Sequence, residues 1–153
     1  MRVDEARAGA DIEVVRRLFV DYAAELGVDL GFQRFDAELA GLPGAYARPS
    51  GRLLLARDGE EVLGCVALRR FSDTACEMKR LYVRPGRRRG GTGRALAVAL
   101  LAEARAIGYR SMLLDTLSHM VSAVTLYESL GFSHRDSYYD TPLAGTVFMD
   151  LAL

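Results

Sequence analysis

Five arginines, Arg84, Arg87, Arg88, Arg89 and Arg94, surround the run Gly90-Gly91-Thr92-Gly93 at the junction between a strand-like segment and a long helical one. Glycines let a backbone approach a ligand closely, and the first N–H groups of a helix have no intrahelical partner, so this segment predicts a cradle for an anion. Two nucleotide motifs fail here. A Walker loop needs Lys after its last glycine, whereas Thr92 follows Gly91, and a dinucleotide fingerprint needs a third small residue where Leu96 stands. Cys65 and Cys76 have no nearby histidines, so they make no zinc site. Folding of their hairpin sets Cys65 opposite residues near Arg80, away from Cys76, so no disulfide is expected.

The elements around the cradle follow from periodicity. Arg2 to Ala6 is a short edge strand, and Asp11 is an N-cap for a helix whose apolar face is Ile12, Val15, Leu18, Phe19 and Tyr22, stopped at Gly27. A weaker helix covers Phe32 to Leu39, and a polar Gly/Pro-containing loop then runs to Gly51. Arg52 to Arg57 and Val62 to Phe71 read as strands about the Asp58-Gly59 turn, with Cys76 to Val83 as a third antiparallel strand. From Thr92 to Ala106 the pattern is helical, with Gly108 as its stop, and Ser111 to Leu114 is a short buried strand. Ala123, Leu126, Tyr127 and Leu130 recur at helical spacing before Gly131, and strands near Phe132 to Tyr139 and Thr146 to Leu151 end the chain. This order predicts an α/β fold, a mixed central sheet flanked by helices, in a single domain over residues 1–153.

Composition narrows the function classes. The chain is 50% hydrophobic and 26% charged, inside the globular range. Twenty basic residues balance twenty acidic ones, so nothing global draws the protein to nucleic acid or to an anionic membrane. The arginine cluster is short and has no adjacent aromatic run to stack bases, which also disfavours nucleic acid. Met1 to Glu5 lacks the apolar segment of a secretory signal, and the longest apolar run, Ala95 to Ala102, is far shorter than the roughly 20 residues a bilayer needs. A cytoplasmic monomer or homodimer is expected.

The segment Arg88-Arg89-Gly90-Gly91-Thr92-Gly93 resembles the acyl-CoA signature of the GNAT superfamily of N-acyltransferases, Arg/Gln-x-x-Gly-x-Gly/Ala, at every fixed position. The resemblance extends from the strand Glu77-Met78-Lys79-Arg80-Leu81-Tyr82-Val83 to Ala123-Val124-Thr125-Leu126-Tyr127-Glu128-Ser129-Leu130-Gly131-Phe132. It implies acetyl-CoA as cosubstrate, with no metal, and transfer of the acetyl group to an amine by direct attack. The alternative is a catalytically weak CoA-binding regulatory module of the same fold.

The family likeness also implies roles for individual residues. Backbone N–H groups from Arg89 to Arg94 hold the pyrophosphate, with arginine side chains, Arg88 among them, on the outer phosphates. The strand through Leu81, Tyr82 and Val83 pairs its backbone with the pantetheine arm, and the Leu81 N–H faces the thioester carbonyl. Glu77 stands at the spacing from Arg88 where histone-acetylating relatives place a general base; the competing reading is a carboxylate paired with Lys79 or Arg80. Tyr127 matches the tyrosine that protonates the departing thiolate, against a plain role in the core. His119 and His134 are alternative bases. Met120 stands where many members carry Asn, and Ser118 or Ser122 then either replaces that contact or caps the helix. The acceptor is expected to be a small primary amine or a chain terminus, with Tyr22, Phe32, Tyr138, Tyr139 and Asp140 as residues for its pocket.

Overall fold

Asp58-Gly59 makes the turn that the sequence predicts: Gly59 takes a φ of +60°, which a side chain resists, and folds strand β2 (Arg52–Asp58) onto β3 (Glu61–Arg70). In the computed structural model, which describes residues 1–153, β4 (Ala75–Val83) then pairs antiparallel with β3. Helix α3 (Thr92–Ile107) crosses over to β5 (Ser111–Leu117), which runs parallel to β4. β1 (Arg2–Glu5) adds to β2, while β7 (Thr146–Ala152) joins β5 and carries β6 (Ser133–Arg135) on its outer edge. The mixed sheet has the order β1-β2-β3-β4-β5-β7-β6. No helix is long and apolar enough to cross a membrane.

Both faces of this sheet are covered, which is why its central strands read as nearly continuous apolar runs. Leu54, Val66, Leu68, Cys76 and Met78 pack with Leu96, Leu100 and Ala104 of α3. On the opposite face Leu53, Leu55, Cys65 and Ala67 pack with Val15, Leu18 and Phe19 of α1 (Ala10–Leu26). Both cysteines are buried and free, and burial pushes the Cys65 thiol up to about 12.

One residue breaks the regularity. The β3–β4 register shifts between Cys65 and Ala67, and Arg80 opposite this shift has a φ of +60°. The extra residue is a β-bulge, and it inverts the alternation of side chains. Before it, Met78 faces α3 and Lys79 faces away; after it, Val83 joins the α3 layer and Tyr82 the α1 layer. Gly64 permits the close approach here, since a Cβ would lie 2.4 Å from the Tyr82 carbonyl oxygen. β4 and β5 pair only from Ala75↔Ser111 to Glu77↔Leu113, and beyond that point a cleft opens between them.

Four expectations need correction. The helix predicted over Phe32 to Leu39 is a 3-10 turn at Gly31–Gln33 followed by α2 (Phe35–Ala40), because Arg34 sits at a φ of 57° between them. Helix α1 starts at Ala10 with Gly9 as N-cap, and Asp11 accepts instead from the Arg7 N–H and from Arg57. β5 runs on to Leu117. The strand predicted over Phe132 to Tyr139 stops at Arg135, because the two tyrosines beyond it turn inward to polar partners described below.

A non-glycine residue at positive φ costs about 1–2 kcal/mol, and here a closed ion pair with Glu38 holds it, at 2.9 and 3.0 Å. Arg80→Ala leaves Glu38 unpaired, and equilibrium urea unfolding should show a loss of ~3–5 kcal/mol. Arg80→Gly, which accepts the backbone conformation, should lose about 1 kcal/mol less than Arg80→Ala, the reverse of the usual order of these two residues in a strand.

Candidate active site

The arginine- and glycine-rich segment folds as a 3-10 turn (Pro85–Gly90) that runs into α3 through Gly91, whose φ is 79°. No side chain caps α3, so the N–H groups of its first turn face outward with the positive end of the helix behind them. A Cβ placed on Gly90 or Gly91 would meet nothing within 4 Å. This end of α3 is open to solvent, and its outward N–H groups suit an oxyanion such as pyrophosphate. Arg87 pairs with Glu61, and Arg88 pairs with Glu25 of α1, donates to the Val83 carbonyl oxygen at 2.8 Å and lies over the Tyr82 ring. Arg84, Arg89 and Arg94 keep no acidic partner, and Arg94 donates to Ser129 at 3.0 Å.

From the cradle a groove runs between β4 and α4 (Val121–Ser129), past Leu81, Val83, Met120 and Ser122. It opens into the cleft where β4 and β5 part, and Tyr22, Leu26, Leu81, Met120 and Ala123 line both. Tyr127 faces this junction. Its ring packs on Phe132 at 5.8 Å, its hydroxyl has no hydrogen-bond partner in the chain, and burial holds the phenol well above its ordinary value. Met120 and Ser122 both line the groove.

The floor of the cleft carries buried charge. Lys79 lies 3.3 Å from Asp115 Oδ1 and 3.3 Å from Gln33 Oε1, and desolvation lowers its pKa against the pull of Asp115 and Glu77. Arg80 grips Glu38 and donates to Gln33 at 2.9 Å, between the rings of Tyr22 and Phe35. Glu77 is 3% exposed and does not line the cleft. Its Oε1 takes Arg69 at 2.8 and 2.7 Å, and its Oε2 accepts from the Tyr138 hydroxyl at 2.6 Å. Tyr139 donates to Asp115 Oδ2 at 2.5 Å, and both tyrosine rings pack on Phe148. The loop from Asp136 to Gly145 is thus fastened over the site by two hydroxyls.

Residues 49–134 match the acetyltransferase (GNAT) domain family. An uncharacterised N-acetyltransferase of Schizosaccharomyces pombe is 41% identical over 94% of this chain and 89% of its own length. The chain belongs to the GNAT acetyltransferase family. An uncharacterised N-acetyltransferase of Escherichia coli is 29% identical over 80% of this chain and 74% of its own. Among solved structures, an acetyltransferase from Streptococcus agalactiae superposes with a TM-score of 0.79 at 22% identity, covering 99% of this chain and 98% of the other. A GNAT family acetyltransferase from Elizabethkingia anophelis, solved with acetyl-CoA bound, gives 0.72 at 20% identity, covering 99% and 97%.

Within this GNAT fold, the structure brings Leu81, Tyr82, Val83, Arg88, Arg89, Gly91, Gly93 and Arg94 to one groove, whereas Gly90 and the buried Thr92 do not line it. Tyr127 joins the cleft next to it, and Glu77 stands one residue behind the cleft wall. His119 lines the groove, whereas His134 is remote and pairs with Glu128. Of the residues expected for the acceptor pocket only Tyr22 lines the cleft; Phe32, Tyr138, Tyr139 and Asp140 do not, the two tyrosines reaching Glu77 and Asp115 through their hydroxyls. Lys79, Asp115 and Gln33 went unassigned as site residues in the sequence; Asp115 interrupts an apolar strand, and that interruption is the signal that marks it. No group of three or more His, Cys, Asp or Glu is placed to hold a metal ion.

The loop's attachment is directly measurable. Tyr138→Phe and Tyr139→Phe each remove a charge-assisted hydrogen bond, and amide hydrogen exchange across residues 136–145 should accelerate by about 10-fold in each variant. Exchange in β4 and α3 should not change.

Proposed function

We propose that this protein transfers the acetyl group of acetyl-CoA to the primary amine of a small molecule. The observation that carries the reading is the continuity of the two cavities: a groove that starts at an uncapped helix N-terminus among unpaired arginines ends in a cleft holding Tyr127, Lys79 and Asp115. A long cosubstrate with phosphates at one end and a thioester at the other suits that path. The pyrophosphate lies on the N–H groups from Arg89 to Arg94, the pantetheine arm lies along Leu81 to Val83, and the Leu81 N–H stabilises charge on the thioester oxygen.

An ammonium with a pKa near ~10 must lose a proton before its nitrogen attacks the thioester carbon. Asp115 takes that proton in this reading, because it lines the cleft, whereas Glu77 is engaged by Arg69 and Tyr138 behind it. Glu77 then positions Lys79 and the 136–145 loop. The new C–N bond forms and the C–S bond breaks; Tyr127 gives its hydroxyl proton to the sulfur, and the second proton shed by the acylated nitrogen restores the Tyr127 hydroxyl, leaving neutral amide and free CoA thiol. A screen with acetyl-CoA that follows release of free CoA thiol across amines, amino acids, polyamines, aminoglycosides and peptides tests the assignment. Coenzyme binding without release from any acceptor supports the regulatory-module reading in its place.

CoA binding to the native state should raise the melting temperature. Gly91→Glu sets a carboxylate in the phosphate space, so it should abolish that shift while the protein still folds. Tyr127→Phe should keep CoA binding and lower kcat roughly 10–1000-fold. Because burial raises the Tyr127 phenol above 10, it stays protonated through neutral and mildly alkaline pH, and the wild-type kcat profile should show no descending limb from this group below that value.

A further inference from the structure

Three ion pairs lie in or beside the cleft, and they differ in how completely each is closed. Arg80 and Glu38 meet through two hydrogen bonds, with Gln33 taking a third donor. Arg69 and Glu77 meet at 2.7 and 2.8 Å, and Tyr138 fills the remaining oxygen. Lys79 and Asp115 are the loose pair. The ammonium has three donors; two reach oxygens at 3.3 Å, longer than the usual range, and the third finds only Glu77 at 3.9 Å. Its side chain is 4% exposed, so water gives little compensation, and it borders the cleft. Asp115 likewise has lone pairs to spare beyond Tyr139 and Lys79.

We infer that the acceptor is an α-amino acid with an apolar side chain, its carboxylate on Lys79 and its amine beside Asp115. This rests on the acetyltransferase reading above and names its substrate class. Two observations select it. First, the buried cluster is electrically balanced, Arg69, Lys79 and Arg80 against Glu38, Glu77 and Asp115. A simple ammonium adds an unbalanced charge beside Lys79, at high cost in a site of low dielectric, whereas a zwitterion adds none. Covalent geometry puts the nitrogen and carboxylate oxygens of an α-amino acid roughly 3 Å apart, which suits a Lys79–Asp115 pair spaced at 3.3 Å. Second, the rest of the cleft is walled by Leu26, Leu30, Leu117, Met120 and Leu143, a surface for an aliphatic or aromatic side chain. A peptide N-terminus carries an amide in place of the carboxylate, so it offers Lys79 a neutral acceptor and brings its ammonium charge unbalanced.

The test compares L-phenylalanine with L-phenylalaninamide and phenethylamine, and L-leucine with L-leucinamide and isopentylamine, each as acceptor with acetyl-CoA and the intact protein. The free acids should exceed their amides and amines in kcat/KM by about 10–100-fold, the worth of one charge-assisted contact. Lys79→Met should narrow the acid-to-amide ratio to about threefold by raising KM for the acids, and Lys79→Arg should keep part of the preference. Independently of any variant, thermal stabilisation of the wild-type protein–CoA complex should be larger with the acids than with the amides. Equal or better turnover of the amides or amines overturns the inference and leaves the acetyltransferase reading standing, as does a ratio that survives Lys79→Met. Absence of CoA release from all six compounds and from every other amine in the screen overturns that reading and this inference with it.

Discussion

A single extra residue in β4 is the constraint from which the site follows. Parallel strands joined by a helix ordinarily pair along their whole length, which in the observed register would seal β4 against β5 as far as Leu81 and Leu117. The bulge at Arg80 turns the second half of β4 away, and pairing with β5 ends at Glu77 and Leu113. The backbone conformation at Arg80 is unfavourable, and Glu38, Gln33, Tyr22 and Phe35 surround its side chain and over-determine it. Helices α1 and α2 therefore do more than cover an apolar face. They hold open the gap between β4 and β5.

The bulge also decides which side chains are polar and buried. By inverting the alternation, it lets Glu77 and Lys79 point to one face while Leu81 and Val83 remain in the α3 layer. Charges placed this deep need partners, and each finds one on a different element: Arg69 on β3, Asp115 on β5, Glu38 on α2. The result is a set of cross-element ties in a region where backbone pairing is missing. Tyr138 and Tyr139 extend the ties to the loop before β7, so the roof of the cleft is held by its floor.

How much of this is legible in the sequence depends on the range of the interaction that decides it. Alternating and helical periodicities, the Asp58-Gly59 turn and the glycine-rich helix start are local signals, and the sheet, α1, α3, α4 and the open turn before α3 follow from them. Arg34 and Arg80 at positive φ have no such signal, since nothing local distinguishes them from other arginines. The early end of β6 is likewise nonlocal: Tyr138 and Tyr139 fit a strand by propensity, and distant carboxylates draw them off it. The same reason hides Asp115 and Gln33 as site residues. The family motif marks Glu77 as a candidate base, but the partners that saturate it come from β3 and the loop, which no motif encodes.

The contact between Arg88 and Glu25 bears on the ionic character of the cradle. An arginine open to solvent carries mobile counterions, and a phosphate that displaces them gains entropy in proportion to their number. Arg88 already holds a fixed anion from α1, so a phosphate taking its place exchanges one carboxylate for another oxyanion and frees a side chain rather than a dissolved ion. Under the proposed binding mode, the salt dependence of coenzyme capture falls to Arg84, Arg89 and Arg94, and is shallower than the count of arginines around the glycines implies. Glu25 stands in the C-terminal half of α1, so this pair ties that helix to the glycine-rich turn.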